Sequence, residues 1–408
     1  MTVLPAPPRA PVMTFALLIL GTTLGIAGTD LILPAIPQLP ELMGGSQAMA
    51  QLVLATFVAG TCAGLIVFGE LGARFDQRDL FAASLVAYGF VSLACLAAPT
   101  LPVLVGLRFV QGLTSAAAAV FAPGMIRALF PEAGAVRAMG LMGSIEALVP
   151  ALAPVAGVWL IAAFGWKSSF LVVGVLSLAI AVLAAFTRHH MPAPAPTRGE
   201  GSYARLAASP VFLRYALSQA FTLGGLLIYV FGAPAMITKG LGGSLDTFIV
   251  MQVTGIAFFI LGANAAGKLS EWFGAEPMIL FGSALSTAGF IGFLVYGMLG
   301  GSNPVWLSAL MIPTNMGLGF RGPPGFYRAI LAARGDDARG SALVLVAILV
   351  TTAGGTALAA PFVTLGLVPL VSLAAAVSSL SVVCLLVLPK LADGSVDPEQ
   401  GLAVHQKG

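Results

Sequence analysis

Gly69-Glu-Leu-Gly-Ala-Arg-Phe75 closes the second long apolar run of the chain, and Gly267-Lys-Leu-Ser-Glu-Trp-Phe273 closes the eighth. Both read Gly-x-Leu-x-x-x-Phe, and each stands at the same point of one half of the chain. The repeat gains its weight from its surroundings. A bilayer-spanning helix needs about 20 apolar residues, and runs of that length recur along the whole sequence. Six precede and six follow the longest polar stretch, Thr187-Arg-His-His-Met-Pro-Ala-Pro-Ala-Pro-Thr-Arg-Gly-Glu-Gly-Ser202. That stretch is Pro-rich and charged and reads as a semi-extended linker. Two parallel six-helix halves, related by an axis along the membrane normal, make a transporter architecture with the substrate near the midplane.

The composition agrees. The 408 residues are 58% hydrophobic and 9% charged, whereas a soluble domain carries about 25% charged residues. Spans are predicted over 13–34, 48–70, 80–99, 102–124, 138–164, 167–187, 211–237, 246–267, 277–299, 304–331, 341–365 and 367–389. The predicted fold is all-α, with twelve transmembrane helices in two pseudo-symmetric six-helix bundles. The bundles occupy residues 1–187 and 211–390, with a cytoplasmic linker over 188–210 and a cytoplasmic tail over 391–408. The first apolar run is too long for a signal-peptide core and follows Pro5, Pro7, Pro8 and Pro11, so it reads as a span.

With the N-terminus in the cytoplasm, the lysines and arginines sort strongly. Of the 19, only Lys167 and Lys239 fall on the outer side, and Arg108 and Arg321 lie within spans. This positive-inside asymmetry places both termini in the cytoplasm. The basic residues thus report topology, and no nucleic-acid partner is expected. Cys62, Cys95 and Cys384 are odd in number, lie in spans and lack metal spacing, so they read as small core residues. The His189-His190 pair reads as part of a solvated loop with no further ligand near it.

Four stretches carry a resemblance. Gly69-Glu-Leu-Gly-Ala-Arg-Phe-Asp-Gln-Arg-Asp-Leu80 looks like the loop 2–3 signature of the major facilitator superfamily, and Leu107-Arg-Phe-Val-Gln-Gly112 like its fourth-helix signature. Pro150-Ala-Leu-Ala-Pro-Val-Ala-Gly157 looks like the fifth-helix motif of its antiporters. Thr29-Asp-Leu-Ile-Leu-Pro-Ala-Ile-Pro37 resembles the end of helix 1 in the twelve-span drug:proton antiporters, with the bicyclomycin/chloramphenicol-resistance branch the nearest. The resemblance implies gating roles for Gly69, Arg74, Asp76, Arg78, Pro150, Pro154 and Gly157. It also exposes departures. Ala73 stands where the loop signature has an acid that latches the cytoplasmic side of the outward-facing state, and Asp76 where it has a glycine. Candidate replacements for the acid are Asp76, Asp79 and, in the second half, Glu271 beside Gly274. In the antiporter motif, Ala153 and Val158 stand where glycines belong.

Asp30, Arg108, Glu146 and Arg321 are charges at membrane depth, which cost roughly 2.5–3.5 kcal/mol each on insertion scales and therefore mark cavities, pairs or pathways. Asp30 and Arg108 fall within roughly 5–12 Å of the outer boundary on helices that the resemblance makes neighbours. They read as an ion pair, either static or switched when Asp30 takes a proton. Glu146 lies roughly 13 Å into its span, one turn before Pro150. No base in its own helix is near, and loss of water penalises its charged form. It reads either as a permanently protonated core residue or as a proton carrier and ligand for a polar or cationic substrate. Arg321 sits in Asn315-Met-Gly-Leu-Gly-Phe-Arg-Gly-Pro-Pro-Gly-Phe-Tyr327, where a broken or kinked helix is expected. It would bind an anionic group, pair with Glu146, or cap carbonyls near the inner surface. Gln111, Gln219, Tyr229, Gln252, Asn264 and Asn315 are further polar candidates that could equally glue helices together. The aromatic stripe Phe212, Phe221, Tyr229, Phe231 reads as packing.

The expected function is proton-coupled export of a small amphiphilic or drug-like compound across a bacterial inner membrane by alternating access. Asp30 and Glu146 would couple protons, and Arg108, Gln111, Glu146, Tyr229, Asn315 and Arg321 would form the substrate site. The alternative is a carrier of a specific anionic or zwitterionic metabolite or siderophore, with Arg108 and Arg321 as carboxylate ligands. No Walker-type loop, metal set or nucleophile–base constellation occurs, so a monomer driven by a proton gradient, without cofactor or enzymatic activity, is expected.

Overall fold

The computed structural model describes residues 9–192, 201–301 and 303–392. The middle of the predicted linker and nearly all of the predicted tail lie outside the described residues. Twelve long helices follow one another: α1 (Arg9–Asp30), α2 (Gln47–Arg74), α3 (Gln77–Leu96), α4 (Leu101–Leu129), α5 (Glu132–Phe164), α6 (Ser168–Phe186), α7 (Pro210–Ala235), α8 (Leu245–Phe273), α9 (Ala275–Met298), α10 (Pro304–Ala332), α11 (Asp337–Ala359) and α12 (Leu367–Val387). No strand occurs among the described residues.

The boundaries have local causes. Ser46, Asp76, Ser209 and Ser244 cap the N-termini of α2, α3, α7 and α8 by accepting from backbone N–H groups of the first turn. Beyond α1 come Pro34, Pro37 and Pro40, whose missing N–H groups break the α ladder into short helical turns over Leu33–Gln38 and Leu39–Met43. Eleven of the helices are long and apolar enough to cross a membrane. The exception, α10, carries Thr314, Asn315 and Arg321 in its middle. Of the broken or kinked helix expected here, the break does not occur: α10 runs as one helix through Pro313, Pro323 and Pro324. Neighbouring helices surround it and can satisfy the carbonyls those prolines release.

The packing repeats with a shift of six. In the first half α2 packs on α4, α3 on α6 and on α4, and α1 on α4, α5 and α6. In the second half α8 packs on α10, α9 on α12 and on α10, and α7 on α10, α11 and α12. Glycine lets the counterpart pairs α2·α4 and α8·α10 cross closely. A Cβ at Gly60 or Gly112 would lie 2.0 Å from the carbonyl of the facing helix, and one at Gly262 or Gly319 would lie 2.7 or 2.6 Å away. Bare backbone is the only surface that fits there, as is common where helices associate within a bilayer. The halves meet through α2·α11, α4·α11, α5·α8 and α5·α10.

Candidate functional site

A cavity of about 430 Å³ lies between the halves, walled by α1, α4, α5, α7, α8, α10 and α11. Its lining is mostly aliphatic, aromatic and thioether: Met139, Met142, Phe259 and Phe326 are typical. Polar groups enter at Thr22, Glu146, Gln219, Gln252 and Asn315, and Glu146 is the one ionisable side chain among the lining residues. It sits fourteen residues after the start of α5, roughly 21 Å along the helix. The helix begins at Glu132 rather than near 138 and runs to Phe164, so Glu146 stands close to its middle. Its carboxyl keeps surface on the cavity, which it shares with Thr22 of α1, whose hydroxyl donates to the Ile19 carbonyl (3.1 Å). Apolar walls with few converging polar groups are the usual makeup of a small-molecule site.

The other membrane-depth charges are placed differently. Arg108 is fully buried and makes no ion pair with Asp30. Its guanidinium donates to the carbonyls of Gly28 (2.9 Å) and Val53 (3.1 Å) and to Gln111 Oε1 (2.6 Å), and stacks 4.2 Å over the Phe57 ring. The Gly28 carbonyl belongs to the last turn of α1, where carbonyls lack intrahelical partners and the dipole is negative. That helix end takes the place expected of the Asp30 carboxylate. Asp30, the last residue of α1, is half-buried and has no ion pair among the described residues.

Arg321 is likewise fully buried and pairs with no acid, Glu146 included. It donates to the Ser218 carbonyl and Oγ (3.0 Å each) and to Gln219 Oε1 (2.7 Å). Each arginine keeps one nitrogen without a partner among the described residues, Nη2 of Arg108 and Nε of Arg321. Neither lines the cavity, nor do Gln111 and Tyr229. Tyr229 is buried against Phe290 and Phe293, its hydroxyl 3.3 Å from Met251 Sδ. Of the expected substrate residues, the structure therefore brings Glu146 and Asn315 to the cavity and leaves the other four buried outside its lining.

At one end of the cavity the halves are closed by four ion pairs. This end carries the linker and the connections α2–α3, α4–α5, α8–α9 and α10–α11, and is called the linker face below. Glu70 on α2 takes Arg339 of α11 in two bonds (2.7 and 3.0 Å). Arg127 of α4 reaches the buried Asp337 (2.7 Å), Arg137 of α5 reaches Glu271 (2.6 Å), and Glu132 of α5 reaches Arg328 of α10 (3.4 Å). The described part of the linker joins in. The Tyr203 hydroxyl donates to the Ile66 carbonyl (2.6 Å), and Arg205 lies 3.6 Å from Asp336, which also holds Arg339 (3.2 Å). Gly69 leaves room for Tyr203: a Cβ there would lie 2.2 Å from its hydroxyl.

Asp76 and Asp79 do not cross between the halves. Asp76 binds Arg78 (2.6 Å) and Arg188 (3.2 Å), and Asp79 binds Arg188, all within the first half and the linker. The Arg78 guanidinium holds the Asp76 carboxyl below the usual carboxylate range. Arg74 pairs with Glu70 one turn earlier on α2. The acid that reaches the second half is thus Glu70, three residues before Ala73 and on the same helix face. In the sequence nothing singles out Glu70 within its stretch, and Arg127, Arg137, Arg328 and Arg339 read only as topology markers. Acids and bases clustered at the same connections of both halves were the available signal. In the antiporter-like stretch, Pro150 lines the cavity, and a Cβ at Gly157 would lie 2.4 Å from the Leu31 carbonyl.

A family model of the Major Facilitator Superfamily matches residues 18–360. A chloramphenicol resistance protein of Pseudomonas aeruginosa is 25% identical over 300 residues, 70% of each chain. The multidrug resistance protein MdtL of Escherichia coli O157:H7 is 24% identical over 235 residues, 57% of this chain and 59% of that protein, so this match spans less than two thirds of MdtL. The solved structure of the proton:xylose symporter XylE superimposes over 92% of this chain and 95% of its own, with a TM-score of 0.72 at 13% identity. A bacterial homologue of the iron transporter ferroportin, in an outward-facing state, covers 91% of this chain and 98% of its own with a TM-score of 0.72 at 14% identity. At such identities these two likenesses speak for the fold alone.

Proposed function

The chain belongs to the major facilitator superfamily, and from that premise we propose that it is a proton-coupled antiporter exporting a neutral or cationic amphiphile from a bacterial cytoplasm. The observation that carries this reading is Glu146, the one ionisable side chain on an otherwise apolar, amide-studded cavity wall. A carboxylate there suits two alternative occupants, a proton or the positive or polar end of an amphiphile. When the two exclude each other, substrate leaves outward as a proton enters. The two resistance-protein relatives support an amphiphilic cargo. The metabolite reading with arginine clamps has less support, since neither Arg108 nor Arg321 lines the cavity and both give most of their donors to carbonyls, amides and a hydroxyl.

In this reading the linker face is cytoplasmic, by the lysine and arginine asymmetry, the protein works as a monomer in the inner membrane, and the described conformation is closed to the cytoplasm. Glu70–Arg339 then serves as the latch in place of the acid missing at Ala73, with Glu271–Arg137 as its counterpart. Asp30 is the second acid, at the outer end of α1 beside the carbonyl that Arg108 holds. Transport of a labelled amphiphile in proteoliposomes under an imposed pH gradient tests the coupling. Glu146→Gln should abolish gradient-driven uptake while leaving downhill exchange, and Asp30→Asn should reduce it. Full gradient-driven transport by Glu146→Gln would sink the assignment.

A further inference from the structure

Arg108 and Arg321 stand on counterpart helices, α4 and α10, and each donates to a glutamine oxygen. The two arrangements end differently. Gln111 passes its amide nitrogen on to Ser92 Oγ (2.7 Å), and the whole group is sealed in the first half. Gln219 lines the cavity, and its amide nitrogen has no protein partner among the described residues. A guanidinium offers donors only, so the amide of Gln219 has one permitted orientation: oxygen toward Arg321, N–H groups away from it. Ser218 anchors Arg321 by two further bonds. Gly325 opens the space the pair needs, since a Cβ there would lie 2.9 Å from Arg321 Nη2 and 3.3 Å from Gln219 Oε1.

Asn315 shows the converse. Its amide nitrogen donates to the Met311 carbonyl (3.1 Å), an acceptor only, so its oxygen is the atom left over. Neither Gln219 Nε2 nor Asn315 Oδ1 is among the fully buried unpartnered atoms, and both residues line the cavity. The second half therefore presents the cavity with one oriented donor and one oriented acceptor.

We propose that Arg321 is a positioning residue that fixes Gln219 as a hydrogen-bond donor to the cargo, so that the exported amphiphile carries an acceptor oxygen, such as a carbonyl or nitro group, at the end that meets α7. The proposal rests on the export reading of the cavity. A site built to hydrogen-bond a ligand group discriminates against ligands lacking it, because its own polar atom is then left unpaired.

The test is equilibrium binding of two probes to the purified full chain in nanodiscs: chloramphenicol, neutral and rich in acceptor oxygens, and tetraphenylphosphonium, an apolar cation with none. Gln219→Glu keeps an oxygen for Arg321 and removes the donor. Arg321→Met releases the amide, and Arg321→Lys keeps one ammonium donor to hold it. Gln219→Glu and Arg321→Met should weaken chloramphenicol about tenfold, the size of one lost hydrogen bond, without weakening tetraphenylphosphonium. Arg321→Lys should recover most of the chloramphenicol affinity. Unchanged chloramphenicol affinity in Gln219→Glu, or equal losses for both probes, overturns the donor assignment while leaving the export reading standing. A wild-type protein that binds neither probe overturns the export reading and this proposal with it.

Discussion

Arg108 shows how a buried guanidinium is satisfied without a carboxylate. Two carbonyls, a glutamine oxygen and an aromatic face surround it, and one of those carbonyls is supplied by the end of α1. The consequence separates two otherwise similar pictures. Breaking a buried ion pair costs about 3–5 kcal/mol, whereas neutralising a half-exposed, unpaired carboxylate costs within about 0.5 kcal/mol. Asp30→Asn is therefore expected to leave the melting temperature in detergent unchanged, even as it reduces coupled transport. A large drop in stability would show that Asp30 supports Arg108 after all. At this scale the sequence exposed which residues are unusual, because charges at membrane depth stand out against 58% hydrophobic residues. It did not show their partners. Asp30 and Arg108 come out at similar depth, but depth along two helices leaves their rotation and the rotamers open.

At the scale of helices, glycine governs how closely α2 meets α4 and α8 meets α10. Gly112 is read in the sequence as part of a fourth-helix signature. In the structure its place is explained by the Phe57 carbonyl, 2.0 Å from where a Cβ would stand. Gly112→Val must push α4 off α2 and with it the Arg108 bonds to Val53 and Gly28. Overpacking of this kind costs about 1–3 kcal/mol, to be seen as a lowered melting temperature. Gly354→Ala, at a position with nothing within 4 Å, serves as the neutral comparison. Helix boundaries were legible from the sequence to within six residues, since length and apolarity are local properties. The continuity of α10 was not, because the glycines and prolines of 315–327 allow either a break or a kink, and only packed neighbours make an unbroken helix tolerable.

The molecule as a whole is held closed at the linker face by charges drawn from both halves. Their worth differs with exposure. Arg137–Glu271 is 54% and 40% exposed, and such pairs contribute about 0–1 kcal/mol. Arg339 is 6% exposed and held by both Glu70 and Asp336, so the stronger closure lies between α2 and α11. Glu70→Gln should loosen it. With Met139→Cys as reporter, in a background where Cys62, Cys95 and Cys384 are Ala, labelling by a polar maleimide from the linker side should rise severalfold. High salt should raise it in the wild type as well, by screening the exposed pairs. Glu271→Gln should have the smaller effect. Equal labelling in all three proteins would remove Glu70 from the latch.

The chain's order of apolar runs, its repeated Gly-x-Leu-x-x-x-Phe segments and its one-sided basic residues were enough to read twelve helices in two halves. Hydropathy, helix length and charge asymmetry act along the chain and need no knowledge of what folds against what. The pairings that make a site are of another kind. Glu70 and Arg339 lie 269 residues apart, and Arg321 and Gln219 102 apart. Whether such groups meet depends on helix rotation and on distances of a few ångströms between elements remote in sequence. The missing acid at Ala73 was visible from the residues alone. That Glu70, one turn earlier on the same face, meets Arg339 of the second half became visible only once α2 and α11 were packed together.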